Sequence, residues 1–177
     1  ALIHPYVQLF SGSCFGLHPK LLNNQHEEFI AKYIPGGVDL DNVYDQKVFP
    51  FTTINDSRFI EIAITREINE GRGTERGGVY LSFAHIPIEK IANGMPNTYR
   101  WMSSHGLKPE KDPLEIGLAF QCMNGGVRMM DSDAQSSIPG LFVIGELAGG
   151  VRGPDRPGGN SLAEGQVFGN RSGIAAA

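Results

Sequence analysis

Two cysteines stand in the 177 residues, Cys14 and Cys122, far apart and in no redox or metal-ligand spacing. That excludes a disulfide-stapled scaffold and a thiolate metal centre, and leaves two buried free thiols as the expectation. The five histidines (His4, His18, His26, His85 and His105) have no ligand spacing; the last four are expected at the surface or in local hydrogen bonds, and His4 near an entering strand. There is no run of lysine and arginine, and net charge is −4, which argues against a nucleic-acid partner. No apolar run approaches the roughly 18 residues of a membrane-spanning helix, and no signal-peptide pattern opens the chain. G-x-S-x-G is absent, so no nucleophile elbow is present. G-x-G-x-x-G is absent too: "GRGTERG" fails because Arg76 stands where the last glycine should be. Whatever this chain binds, it does not hold by its pyrophosphate.

What is abundant is glycine, 23 residues, against a hydrophobic content of 41% that suffices for a core. The chain opens without Met and ends in three alanines inside a helical pattern, so a piece of a longer protein is expected.

Periodicity divides the chain near residue 115. Residues 5–10 read as a strand. Residues 24–37 read as a helix, with Asn24 and Glu27 as a capping box, an apolar stripe of Phe29, Ile30, Tyr33 and Ile34, and a stop at Pro35-Gly36. Residues 55–73 carry the strongest helical signal: Ile60, Ile64 and Ile68 repeat every fourth position, Asn55 or Asp56 can cap the start, and Gly71 ends it. Glu27, Glu28, Glu67 and Glu70 fall on polar faces and are expected in solvent. A strand over 77–83 and short helices over 86–95 and 97–106 follow, with Trp101 in the core or at an interface. Beyond 115 come strand-like runs at 116–123 and 125–131, a turn at 132–140, a strand at 141–146, a glycine-rich loop, and a helix of small residues from Asn160.

The stretch "GLFVIGELAGGVRGPDRPGGNSLAEGQVFG" is the informative one. "LFVIG" is apolar on both faces, as a strand covered on both sides would be. Glu146 stands at its C-terminal end, where open α/β sheets bind ligands and a carboxylate can meet the hydroxyls of a sugar-like chain. The helix start at Asn160-Ser161 offers unpaired N–H groups and partial positive charge, suited to a phosphate or to the negative charge of a reduced flavin ring. Arg152 and Arg156 in the loop are either solvated charges or a bidentate grip on a carboxylate.

From "IPGLFVIGE" to "NSLAEGQVFGNRSGIAA" the chain resembles the C-terminal part of the flavin domain in the fumarate reductase/succinate dehydrogenase flavoprotein family, with L-aspartate oxidase and adenylylsulfate reductase as relatives. "QCMNGGVRM", "TREINEGRG…GGVYLSF" and "YVQLF" extend the resemblance backward. It implies an α+β capping domain joined to the C-terminal segment of an α/β Rossmann-like FAD-binding domain. Residues 1–14 would edge the FAD-binding domain, 15–115 form the capping domain and 116–177 complete the FAD-binding domain, with the ADP-binding half lying outside this chain.

The resemblance further implies FAD as cofactor, a small carboxylate substrate, and a cytoplasmic protein or one held at a membrane by an electron-transfer partner. Glu146 would bond the ribityl chain; Asn160, Ser161 and Leu162 would lie at the flavin ring; Gly125 and Gly126 would let backbone pass close to it. Arg156 matches the arginine that holds a substrate carboxylate.

Where the family has substrate histidines, this chain has Phe10-Ser11 for a His-Pro pair, Gln121, and Arg152; Asp155 replaces an asparagine. The proton-donating arginine aligns with Ser57, beside Arg58. The implied activity is hydride transfer between flavin and a carboxylate-bearing substrate, with Gln121, Arg152 and Arg156 at the substrate, Arg58 as proton donor, and the capping domain closing over the site. The alternatives are amine oxidation, adenylylsulfate-type reduction, or a non-catalytic role in flavin binding or assembly.

Overall fold

The strongest periodic segment of the sequence becomes the best-formed element of its half of the molecule. In the computed structural model, which describes residues 2–3, 8–9, 12–49, 52, 54–119, 125–151, 153 and 159–177, the chain falls into two compact units. One comprises Ala1–Phe49 and Asn55–Ala119, the other Pro50–Ile54 and Phe120–Ala177.

The first unit holds a five-stranded antiparallel sheet flanked by helices. In chain order its elements are β1 (Leu2–Ile3), β2 (Gln8–Leu9), β3 (Lys20–Leu22), α1 (Leu40–Asp45), α2 (Arg58–Glu67), β4 (Val79–Ser82), α3 (Ile88–Gly94), α4 (Pro96–Ser104) and β5 (Leu114–Gly117). The strand order is β2-β1-β5-β4-β3, so residues near the start of the chain pair with β5, more than a hundred positions on. Register brings Leu21 opposite Leu81 and Leu81 opposite Leu114, three fully or nearly buried leucines on one face. Alternation at a period of two sends that face into the core. Helix α2 lays Ile60, Ala63 and Ile64 into the same core, all essentially without exposure. Each such isoleucine contributes roughly 1.5–3 kcal/mol by leaving water.

Local chemistry sets the boundaries. Asn55 Oδ1 accepts from the Ser57 N–H at 3.2 Å, shaping the turn into α2. At the far end the helix widens into a π-type turn, Ile68–Arg72, that closes on Gly71 at φ 81°, a conformation glycine adopts at little cost. Pro87 precedes α3, and Pro96 opens α4, both where a missing N–H costs nothing.

The helix expected over 24–37 does not form. Only a 3-10 turn at Ile30–Tyr33 is present, and Asn23, not Asn24, organises its approach. Its side-chain oxygen accepts from the N–H groups of Gln25 and Glu27, an Asx-type turn that competes with helix initiation. The apolar stripe read there is real: Phe29, Ile30 and Tyr33 are buried in the core. Trp101 is half-buried against that core, and Cys14 is buried, its thiol pushed up by burial; Cys122 lies outside the described residues.

The second unit contains β6 (Val127–Arg128), β7 (Ala148–Gly149) and the long helix α5 (Asn160–Ala176). β6 and β7 pair in parallel. The expected strand at 141–146 does not form: Phe142 makes an isolated bridge to Gln135, the Val143 N–H donates to the Ala134 carbonyl at 2.8 Å, Gly145–Leu147 is a 3-10 turn, and Leu141 and Ile144 are exposed where cover on both faces was expected. The turn between them is type II in character, with Pro139 followed by Gly140 at φ 81° and the Leu141 N–H donating to the Ile138 carbonyl at 3.0 Å.

Candidate flavin site

The second unit gathers three of the sequence-predicted groups. Pairing of β6 with β7 brings Gly126 against the turn Gly145–Leu147, which carries Glu146. The approach is so close that a Cβ on Gly126 would lie 2.0 Å from the Leu147 carbonyl oxygen, and Gly126 has φ 149°. Glycine is therefore required here by the protein's own backbone, whatever ligand also lies near. Gly145 opens the turn at φ 69°, and Glu146 is exposed. Gly125, next to Gly126, has open space where a side chain would be.

Helix α5 packs on the same turn, with Gly169 facing the Ile144 side chain at ordinary contact distance. The residue before the helix, Gly159, sits at φ 91°; among the described residues no side chain caps the helix, and no acid stands in its first turn. Of the three residues expected at the ring, Asn160 and Leu162 are exposed and Ser161 is half-buried. First-turn N–H groups lacking a side-chain cap fit a polar, electron-rich ring edge, so the residues present suit a flavin. Further along, Glu164 is buried, and Arg171 lies 3.5 Å from Asp133.

Arg58 belongs to the first unit. It opens α2, and its guanidinium is folded back on its own neighbourhood. One terminal nitrogen donates to the Asn55 carbonyl at 2.9 Å, the other lies 3.6 Å from Asp56 Oδ1, and the group sits 4.7 Å from the Phe59 ring centroid. Gln121, Arg152 and Arg156, the expected substrate contacts, lie outside the described residues, as do His4, Phe10, Ser11 and Asp155.

One cluster in the first unit overturns an expectation. Glu67, read as a solvated acid on a polar helix face, is 1% exposed. It accepts from Asn23 Nδ2 at 3.0 Å, from the Tyr33 hydroxyl, and from Arg72 Nε at 2.5 Å. The Arg72 guanidinium, helped by Tyr33 and Asn23 and opposed by burial, holds its carboxyl down at about 2. Arg72 also pairs with Glu70, and the two acids push its own proton affinity up. A buried carboxylate is tolerated only when paired and hydrogen-bonded, and this one is both. The signal for it in the sequence is Arg72 just past the glycine that ends α2, in reach of the helix's last turn.

No helix among the described residues is long and apolar enough to cross a membrane, and no cluster of metal-ligating side chains is present among them. Residues 20–162 match the family model for the FAD binding domain. The chain is 37% identical over 157 residues to a subunit of the fumarate reductase (CoM/CoB) of Methanothermobacter marburgensis, covering 89% of this chain and 26% of that protein. It is 36% identical over 116 residues to the L-aspartate oxidase of Caulobacter vibrioides, covering 65% of this chain and 22% of that one. Its fold superposes on Mycobacterium smegmatis Sdh1 in complex with UQ1 with a TM-score of 0.71 and 30% identity, over 96% of this chain and 26% of that one. The chain thus spans about a quarter of the length of these relatives. The chain belongs to the FAD binding domain family, among the flavoproteins of the fumarate reductase and succinate dehydrogenase type.

Proposed function

We propose that this chain is part of an FAD-dependent oxidoreductase that reduces or oxidises a carboxylate-bearing substrate, with fumarate as the first candidate. FAD, when bound, supplies two-electron hydride chemistry at its ring. The residues of this chain do the rest. Glu146 accepts hydrogen bonds from the ribityl hydroxyls, the backbone at Asn160, Ser161 and Leu162 faces the ring's pyrimidine edge, and Gly125-Gly126 carry backbone past it. Arg156 grips the substrate carboxylate, with Arg152 and Gln121 beside it. Reduction of a C=C bond adds a hydride to one carbon and a proton to the other, and Arg58 is the group assigned to give that proton. The first unit serves as the capping domain.

The observation that carries the reading is the uncapped N-terminus of α5, on a helix packed against the turn bearing Glu146. The test is anaerobic stopped-flow on the full-length protein, reduced and mixed with fumarate. Reoxidation within seconds supports the reading. Reoxidation by oxygen but not by fumarate would instead favour oxidase chemistry, a reading that the similarity to L-aspartate oxidase also supports.

A further inference from the structure

An arginine in the first turn of a helix faces the positive end of the dipole and is disfavoured there. Arg58 occupies that position in α2, so something must hold it. The surroundings supply it. Asp56, two residues earlier, sets its carboxylate oxygen 3.6 Å from one terminal nitrogen, the Asn55 carbonyl accepts from the other at 2.9 Å, and the Phe59 ring lies beneath the guanidinium at 4.7 Å. An acid before a helix N-terminus also offsets the dipole, so the one carboxylate answers both positive charges. The turn carrying Asp56 is itself anchored. The Asp56 N–H donates to Gln46 Oε1 at 2.9 Å, Asn55 Nδ2 donates to the Gln46 carbonyl at 3.3 Å, and the buried Lys47 pairs with Glu61 of α2 at 2.5 Å. The end of α1 therefore fixes the turn, and the turn fixes the arginine.

We infer that Asp56 is the positioning residue for Arg58, holding the guanidinium in one orientation at the mouth of α2. This rests on the reading of Arg58 as proton donor. A guanidinium with a planar fork loses efficiency when it can swing, so removing its partner is felt in the proton-transfer step and not in substrate binding.

The test uses single-turnover reoxidation of the reduced full-length protein by fumarate. Asp56→Asn is expected to lower the rate at saturating fumarate about tenfold while leaving the half-saturating concentration unchanged, as loss of an interaction felt only in the transition state does. Asp56→Glu is expected to recover most of the rate, and Asp56→Asn in an Arg58→Ala background is expected to change nothing further. A loss of equal size in both backgrounds would overturn the inference, because Asp56 would then act other than through Arg58. So would a silent Asp56→Asn beside an inert Arg58→Ala, which would leave the donor reading standing. If Arg58→Ala keeps the full rate, the donor reading fails and the inference falls with it.

Discussion

Gly126 and the carbonyl of Leu147 stand so close that no side chain fits between them: a Cβ on Gly126 would be 2.0 Å from that oxygen. The contact joins the start of β6 to the turn that carries Glu146, and both sides are backbone. Gly126→Ala is therefore expected to destabilise the second unit by more than about 2 kcal/mol, since neither partner can rotate away and φ is already in the glycine region. Gly16 has ordinary φ and open space around it. Gly16→Ala is the control, expected within about 0.5 kcal/mol of the parent. Urea unfolding of both variants, followed by circular dichroism, checks the pair.

Glu67 makes stability depend on acid. Its folded carboxyl titrates at about 2, down from 4.5, so its contribution is complete above pH 4.5 and is lost as pH falls toward 2. Glu67→Gln keeps the shape but removes the charge opposite Arg72. The expected loss is on the order of 2 kcal/mol at pH 7, shrinking toward zero as pH falls through that window. Thermal unfolding at pH 7 and near pH 3 measures it; an equal loss at both would separate the effect from titration.

Ile60 is fully buried on the face of α2 that meets the core. Ile60→Ala is expected to cost about 2–5 kcal/mol, because the side chains around it cannot collapse completely into the space. The midpoint of denaturant unfolding reads this directly. Arg66, exposed on the same helix, is the comparison position, and Arg66→Ala should stay within about 0.5 kcal/mol.

A quarter-length chain offers few of the contacts that a dinucleotide needs. FAD is expected to bind this chain alone with a Kd weaker than about 0.1 mM. A fluorescence titration giving micromolar affinity would mean that the residues named around α5 and Glu146 carry far more of the binding than proposed.

Much of the first unit is legible in the sequence because its signals are local. The four-residue repeat of Ile60, Ile64 and Ile68 marks α2, and proline and glycine bracket α3. The expectation of a helix over 24–37 fails because its apolar spacing fits a helix, while Asn23 diverts the backbone into a side-chain turn that spacing does not register. The expectation of a solvated Glu67 fails for a related reason. Helical periodicity puts it on a polar face, and of its partners only Arg72 is near in sequence; Asn23 and Tyr33 are brought to it by the folded chain. In the second unit the α5 start is legible as a helix start, while Glu146, read as a strand end, lies in a 3-10 turn. The closeness of Gly126 to Leu147 is not legible, since a parallel pair joins segments some twenty residues apart.

The hydrogen bond from Asn23 to Glu67 spans 44 positions of chain. At ten residues α2 is marginal as a helix on its own, and its last turn is tied down by bonds from Asn23, Tyr33 and Arg72. The amides flanking Asn23, Tyr33 and Arg72 should then exchange with solvent as a single cooperative block, opening together though they belong to three separate stretches of backbone. A lesion at Asn23 would loosen the glycine turn at 71–73 by two routes, through Glu67 and through the neighbouring Asn24 N–H, which donates to the Arg72 carbonyl at 3.0 Å, so damage here passes along a carboxylate and a backbone bond together.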